Sequence, residues 1–279
     1  MVDNDFYNRE AHNWWSEKDS PFTIIRFTMN PIRFAYVIKH LVALSYDYRR
    51  KKVLDIGCGG GFLTEEIAKF GIDATGLDPS ASSLQAARNH AKILNLSINY
   101  QEGVGEKIDY PEDSFDMVFC LDVLEHVRDF KKIIDEVSRV LVPGGLFFFE
   151  TINRTFLSYF IVIFLFQNFP LTRLLPQNVH KWKYFIRPKE MKQVLRDSSI
   201  ELCDMQGVMP GYNFAYNLLL FRRMLAKNIS FKDLCSHFRC HESAYKGLCY
   251  IGYGRKALSS DMKKSDLFQK TFTDIRYKS

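Results

Sequence analysis

No stretch of this 279-residue sequence is apolar over the about 20 residues that a membrane-spanning helix needs; the longest apolar run, Phe156 to Phe166, is far shorter. Residues 1–20 are polar and acidic and carry no apolar signal core, so no secretory signal is expected and the chain is read as cytoplasmic. No Cys-x-x-Cys pair is present. The six cysteines, Cys58, Cys120, Cys203, Cys235, Cys240 and Cys249, are therefore expected as reduced thiols. The last three fall near His237 and His241, which suggests a zinc cluster, but the Cys-x-His-x-x-Cys-His spacing matches no standard zinc pattern. A dense basic stripe is missing too. The balance of 38 Lys and Arg against 32 Asp and Glu gives only +6, which argues against a nucleic-acid partner and is compatible with an anionic membrane surface. Internal repeats are absent. What is plentiful is phenylalanine, 24 residues, crowded into 147–149 and 156–169, so its excess asks for a local explanation.

Between residues 51 and 153 short apolar runs alternate with helical patterns. Lys52 to Ile56, Asp73 to Asp78, Ile98 to Tyr100, Phe115 to Cys120 and Leu146 to Glu150 read as strands. Phe62 to Phe70, Ser82 to Leu94 and Asp129 to Leu141 read as helices, the last stopped by Pro143-Gly144-Gly145. This alternation predicts an α/β fold, a mostly parallel sheet with helices on both faces. Around that core lie an expected helical cap at 1–50, an apolar and basic insert at 154–192, a C-terminal part of the sheet with a substrate-side region at 193–258, and a polar tail at 259–279.

The run Val53-Leu54-Asp55-Ile56-Gly57-Cys58-Gly59-Gly60-Gly61 joins a buried strand to a helix through glycines. Glycines there tolerate positive φ and let a ligand approach the backbone. A dinucleotide site would show Gly-x-Gly-x-x-Gly, but the sixth position here is Phe62. Asp55, at the strand end, would repel a pyrophosphate and suit a cation. Asp78 ends the second strand, where a carboxylate takes the two hydroxyls of a ribose. Adenosine carrying a sulfonium and an amino acid fits this loop.

Beyond the fourth strand stand Asp122, Glu125 and His126. On a helical turn, residues three and four apart share a face. So placed, they can hold a divalent cation, Mg²⁺ or Zn²⁺, with His180 as a fourth ligand. Such an ion would lower the pKa of an acceptor hydroxyl. Without a metal, His126 is the candidate base, with Glu125 beside it; a third reading has them only orient the turn.

Val53 to Gly61 and Gly76-Leu77-Asp78 resemble the first two motifs of class I S-adenosylmethionine methyltransferases, with Gly103 to Ile108 near the adenine and Pro143-Gly144-Gly145 before the fifth strand. The sequence is closer still to the ubiquinone-biosynthesis O-methyltransferase family. Trp14-Trp15, Met29 to Arg33, Leu121 to Val127, Thr151 to Arg154, His180 to Ile186 and Pro188-Lys189-Glu190 stand in the family's order. The resemblance implies a Rossmann-like, seven-stranded sheet and cofactor contacts at Arg33, Gly57, Asp78 and Leu121, to which the loop itself adds Asp55 and Gly59. Arg33 would reach the methionine carboxylate. The constellation Asp122, Glu125, His126 and His180 is similar to the metal site of small-RNA 2′-O-methyltransferases. The implied substrate is a polyprenylated catechol-type quinone precursor, handled within a ubiquinone-biosynthesis complex. A soluble phenol or catechol is the alternative, and a catalytically silent scaffold a third.

The insert completes the expectation. An apolar run followed by Arg173, Lys181 and Lys183 reads as an interfacial helix, with Phe160, Ile163 and Phe164 toward lipid, peripherally attached to the inner face of the membrane. The chain departs from the family at Asn217 to Ser243, which is expanded.

Overall fold

A computed structural model describes residues 5–170, 172–211, 214–238 and 240–258. The polar tail expected at 259–279 lies outside the described residues.

Eight strands form one sheet: β1 Lys52–Ile56, β2 Asp73–Asp78, β3 Asn99–Glu102, β4 Phe115–Leu121, β5 Leu141–Ile152, β6 Ile200–Pro210, β7 Cys240–Ser243 and β8 Cys249–Lys256, in the order β3-β2-β1-β4-β5-β8-β6-β7. The first five are parallel. β8 runs antiparallel to both β5 and β6, so β6 points the same way as the parallel set. The helices are α1 Asp5–Arg9, α2 Asn30–Ala43, α3 Phe62–Lys69, α4 Ala81–Ile93, α5 Phe130–Val140, α6 Phe156–Ser158, α7 Pro188–Asp197, α8 Phe214–Leu225 and α9 Phe231–His237. α6 runs directly into a wider, π-type helical stretch at Tyr159–Asn168.

Side chains alternate between the two faces of a strand, and here both faces are buried. Leu54, Ile56, Val118, Cys120, Phe147 and Phe149 pack under Ile133, Ile134 and Val137 of α5 and Met191 and Leu195 of α7. Val53, Met117, Phe119, Phe148 and Ile251 pack under Tyr36, Val37 and Leu41 of α2 and Leu63 and Ile67 of α3. The Phe147-Phe148-Phe149 run is thus a central strand feeding both cores, which accounts for one part of the phenylalanine excess.

Two expectations are corrected. The family pattern implies seven strands; the eighth is β7, an edge strand pairing with Gly207–Pro210 of β6, and it lies in the segment where the chain is expanded. Pro143-Gly144-Gly145 does not precede the fifth strand but lies within β5, where Gly144 takes φ +80° and the register with β4 shifts between Phe115 and Met117. The irregularity lets the strand pair both before and after the turn.

β2 and β4 flank β1 on opposite sides, and the chain winds outward from there in both directions. The carboxyl ends of β1, β2, β4, β5 and β6 therefore share one edge of the sheet, with the switch in winding at β1.

Candidate active site

A cavity of about 360 Å³ opens at that edge. Arg33, Asp55, Gly57, Gly59, Asp78 and Leu121 all line it, together with Asp122 and His126. Glu125 and His180 do not.

The glycine loop is shaped by three things. Gly57 and Gly59 have φ of +69° and +52°, in the left-handed region where a side chain is strained. The backbone N–H groups of Gly57 and Cys58 donate to the carbonyl of Leu77, at 2.7 and 3.2 Å, which ties the loop to β2. Asp78 accepts from the N–H of Gly59 and of Ser80, both at 2.8 Å, so its carboxylate is fixed at the cavity wall. Asp55 accepts from the Thr64 hydroxyl at 2.6 Å.

Five acidic residues, Asp5, Asp55, Asp78, Glu106 and Asp122, line the cavity against the one guanidinium of Arg33. Such a wall favours a cationic ligand. Burial pushes the Asp55 carboxyl up to about 7, only partly offset by Thr64 and Arg33. Burial raises Asp78 to about 6 against its two backbone hydrogen bonds.

Arg33 itself is buried. It pairs through Nε with Glu150 at the end of β5, and its Nη2 lies 3.3 Å from Asp122. Burial opposes ionisation of Asp122, but the Arg33 guanidinium beside it holds its pKa below the usual value. Asp122 stands at φ +64°, a left-handed conformation uncommon outside glycine, just after the end of β4.

Asp122, His126 and His180 bring one ligand atom each within 4.8 Å of one another. Both imidazoles are held neutral: burial lowers the pKa of His126, and burial with the neighbouring His126 pushes His180 down to about 3. The Nδ1 atoms of both rings are buried without a hydrogen-bond partner. A carboxylate and two neutral imidazoles with unused lone pairs are a donor set that fits a divalent cation. Glu125, expected as a ligand between Asp122 and His126, is not in this group. The segment Leu124–His126 is a three-residue 3₁₀ turn rather than an α-helical one. Its geometry carries Glu125 inward, where it accepts from Thr151 at 3.0 Å, fully buried. Burial and then the Asp122 charge raise its pKa well above the carboxylate range. The Cys235, His237, Cys240 and His241 cluster is not gathered either: among the described residues the trio is the one group of three such side chains within reach of an ion.

Sequence reasoning missed the cover. Trp14 lies across the glycine loop so closely that a Cβ on Gly59 or Gly60 would stand 2.5 Å from its ring atoms. Trp14 stacks on Phe22 with centroids 3.8 Å apart, and Trp15 donates to the carbonyl of Gly60 at 2.8 Å. Tyr7 reaches into the cavity with its hydroxyl 3.5 Å from His126 Nε2. The adjacent tryptophans were the only signal in the sequence, and nothing in their spacing says that they fold back over a loop 45 residues on.

The parallel sheet, the glycine turn at the end of β1 and the acidic residue ending β2 define a class I S-adenosylmethionine-dependent methyltransferase. The methyltransferase domain family matches residues 54–149. Among solved structures, magnesium protoporphyrin IX methyltransferase from Synechocystis PCC 6803, with bound SAH, aligns with a TM-score of 0.60 at 16% identity, over 91% of this chain and 97% of that one. The cyclase SpnF aligns with a TM-score of 0.52 at 19% identity, over 81% and 82%. At such identities these show the fold alone.

Curated relatives go further. The chain is 34% identical over 208 residues to the ubiquinone biosynthesis O-methyltransferase of Methylococcus capsulatus, covering 74% of this chain and 83% of that protein. It is 36% identical to that of Coxiella burnetii, over 71% and 81%, and 34% identical to that of Alkalilimnicola ehrlichii, over 86% and 92%. The chain belongs to the ubiquinone biosynthesis O-methyltransferase family and is an S-adenosylmethionine-dependent O-methyltransferase.

The buried acids give a signed prediction. The raised pKa of Asp55 means that folding favours its neutral form; the stabilising contribution is full below its unfolded pKa and is lost as pH rises through about 7. Asp55→Asn in the ligand-free protein should raise the melting temperature, and the gain over wild type should grow between about pH 5 and about pH 8. The same variant should bind S-adenosylmethionine roughly tenfold or more weakly, because a charged acceptor is lost. A gain that is flat with pH, read by thermal melts, would contradict the assignment.

Proposed function

We propose that this enzyme methylates a ring hydroxyl of a polyprenylated, catechol-type ubiquinone precursor at a membrane surface. The observation that carries the reading is the placement of Asp122 and His126 on the wall of the cofactor cavity, within reach of His180. The relatives of known activity, ubiquinone biosynthesis O-methyltransferases, support the ubiquinone pathway.

S-adenosylmethionine supplies a methyl group on a sulfonium. Asp55 and Asp78 would hold its cationic and ribose portions, the glycine loop would let it approach the backbone, and Arg33 would face its carboxylate. Methyl transfer is an in-line displacement, so the acceptor oxygen must be aligned and stripped of its proton. Asp122, His126 and His180 would hold a divalent cation, Mg²⁺ or Zn²⁺, whose Lewis acidity would lower the pKa of the ring hydroxyl. Arg33, itself held by Glu150, keeps Asp122 ionised and in place for this. Without the ion, neutral His126 is the group positioned to accept the proton. Trp14 and Tyr7 cover the loop and shed water from the cavity.

The insert supports delivery of a lipid substrate. Among the described residues no helix is long and apolar enough to cross a membrane. The helical stretch 156–168 nevertheless leaves Phe156 80%, Tyr159 43%, Phe160 43% and Phe164 42% exposed. Ile163, expected on the lipid side, faces inward instead; with Val162 it packs against Ile152 and Phe185. Arg173 and Lys183 are exposed nearby in the chain. Aromatic burial at about 25 cal/mol per Å² together with about 1 kcal/mol per basic residue would suffice for reversible attachment to an anionic surface.

Two outcomes are expected. Exhaustive chelation should abolish turnover and leave S-adenosylmethionine binding by calorimetry unchanged, with activity returning on addition of Mg²⁺ or Zn²⁺. Full turnover after chelation would remove the metal and leave His126 as the base. Replacing Phe156, Phe160 and Phe164 by Ser should release the protein from anionic vesicles and slow turnover of a long-chain substrate while sparing a short-chain, water-soluble analogue. Wild-type protein that ignores such vesicles at low salt would end the membrane reading and favour a soluble catechol.

A further inference from the structure

The segment in which the chain is expanded relative to its family overlaps α8, a helix none of whose residues lines the cofactor cavity. Its seat is narrow. Among its described side chains Leu220 is buried, with Asn217, Phe221 and Met224 half-buried on the same side. These positions recur at the three- and four-residue spacing of one helical stripe. The rest of the surface is open: Leu218, Leu219 and Leu225 are 48%, 52% and 53% exposed. Leucines of this exposure are unusual on a surface that meets only water when they recur along one short helix.

The charge on this helix has one sign. From Met205 to Lys232 the sequence holds no Asp or Glu, and Arg222, Arg223 and Lys227 are exposed. None of the three has a carboxylate partner among the described residues. By contrast Lys232, in the following helix, pairs with Glu17 at 2.5 Å and anchors α9 to the N-terminal cover. A surface of exposed leucines bordered by unpaired cations is complementary to an anionic lipid bilayer, whose headgroups attract the cations and whose acyl boundary takes the leucines.

Its place in the fold gives the same direction. Ile152 of β5 and Val208 of β6 both pair with Cys249 of β8, so they stand level in the sheet. The chain leaves β5 at Ile152 into the aromatic insert and leaves β6 at Pro210 into α8. Two strand spacings, about 10 Å, separate the two exits. Both are on the edge where the loops of β1 and β4 form the cofactor cavity.

We propose that α8 is a second membrane-contacting arm, which with the aromatic insert seats the open edge of the sheet on an anionic bilayer. This rests on the membrane reading of the insert and adds a separate, separately removable contact. Two points of contact fix the orientation of the active-site mouth as well as its distance from lipid, which one helix does not.

The test is flotation of the full chain with vesicles of phosphatidylcholine alone and of an equal mixture of phosphatidylcholine and phosphatidylglycerol. Two α8 variants are used, Leu218→Ser/Leu219→Ser/Leu225→Ser and Arg222→Gln/Arg223→Gln, next to the insert variant Phe156→Ser/Phe160→Ser/Phe164→Ser. The arginine pair guards against a leucine variant that fails to fold, and calorimetric S-adenosylmethionine binding confirms that each is intact. Wild type should bind only the mixed vesicles, and the arginine pair should weaken that binding by roughly tenfold, with the difference vanishing at high salt. If both α8 variants bind as wild type does while the insert variant is released, α8 is not an arm and the insert stands alone. If the α8 variants are released and the insert variant is not, the insert reading fails and α8 stands. Wild type that binds neither vesicle overturns both. A wild-type dimer in sedimentation that the leucine variant dissociates would assign this face to a second copy of the chain and overturn the lipid proposal.

Discussion

The site hangs on one buried cation. Arg33 leaves α2 and is clasped by Glu150 from the end of β5 and Asp122 from the end of β4. An unpaired guanidinium at this depth would be costly, and so would either carboxylate. Together they lock the helix that packs on one face of the sheet to the two strands whose ends form the cavity. The same pairing keeps Asp122 charged in a setting where burial alone would neutralise it, while the neighbouring Glu125, with no cation to pair with, is driven to the protonated side. Two carboxyls three residues apart thus take opposite states because only one of them meets Arg33.

That division explains which parts of the site were legible in the sequence. The Asp55-x-Gly57-x-Gly59 turn and Asp78 are local: a strand, its turn and the next strand's last residue are set by short-range patterning, and β1 and β2 take the residues that the pattern predicted. Glu125 departs from the α-helical face that its spacing implies, because the turn at Leu124–His126 is 3₁₀ and follows a left-handed Asp122. The cover was not readable at all. Trp14 on Gly59 and Tyr7 beside His126 are contacts between segments far apart in the chain, and their composition is that of any small aromatic core. Ile163 shows the same limit within the insert: an almost uniformly apolar run has no periodic signal, so which side faces the core depends on what Ile152 and Phe185 offer it.

Fold likeness alone does not decide the chemistry. The cyclase SpnF and magnesium protoporphyrin IX methyltransferase share this architecture with the present chain at comparable TM-scores. What separates such proteins is the set of groups held at the carboxyl edge of the sheet. Here that set is an acidic cofactor wall, one paired arginine, and a carboxylate with two neutral imidazoles. Outward from it the same edge carries two apolar surfaces, one aromatic and one aliphatic, each accompanied by basic residues. A cofactor that is soluble and a substrate that is lipid would enter such a site from different sides.

Everything at this edge converges on one event, transfer of a methyl group from S-adenosylmethionine to a ring hydroxyl. Purified protein supplied with methyl-labelled S-adenosylmethionine and a short-prenyl catechol tests it directly, with the product resolved by mass spectrometry and NMR. Label is expected on a single ring oxygen, with S-adenosylhomocysteine formed in equal amount. Label on carbon, or cofactor bound at full occupancy with no transfer to the ring, would contradict it.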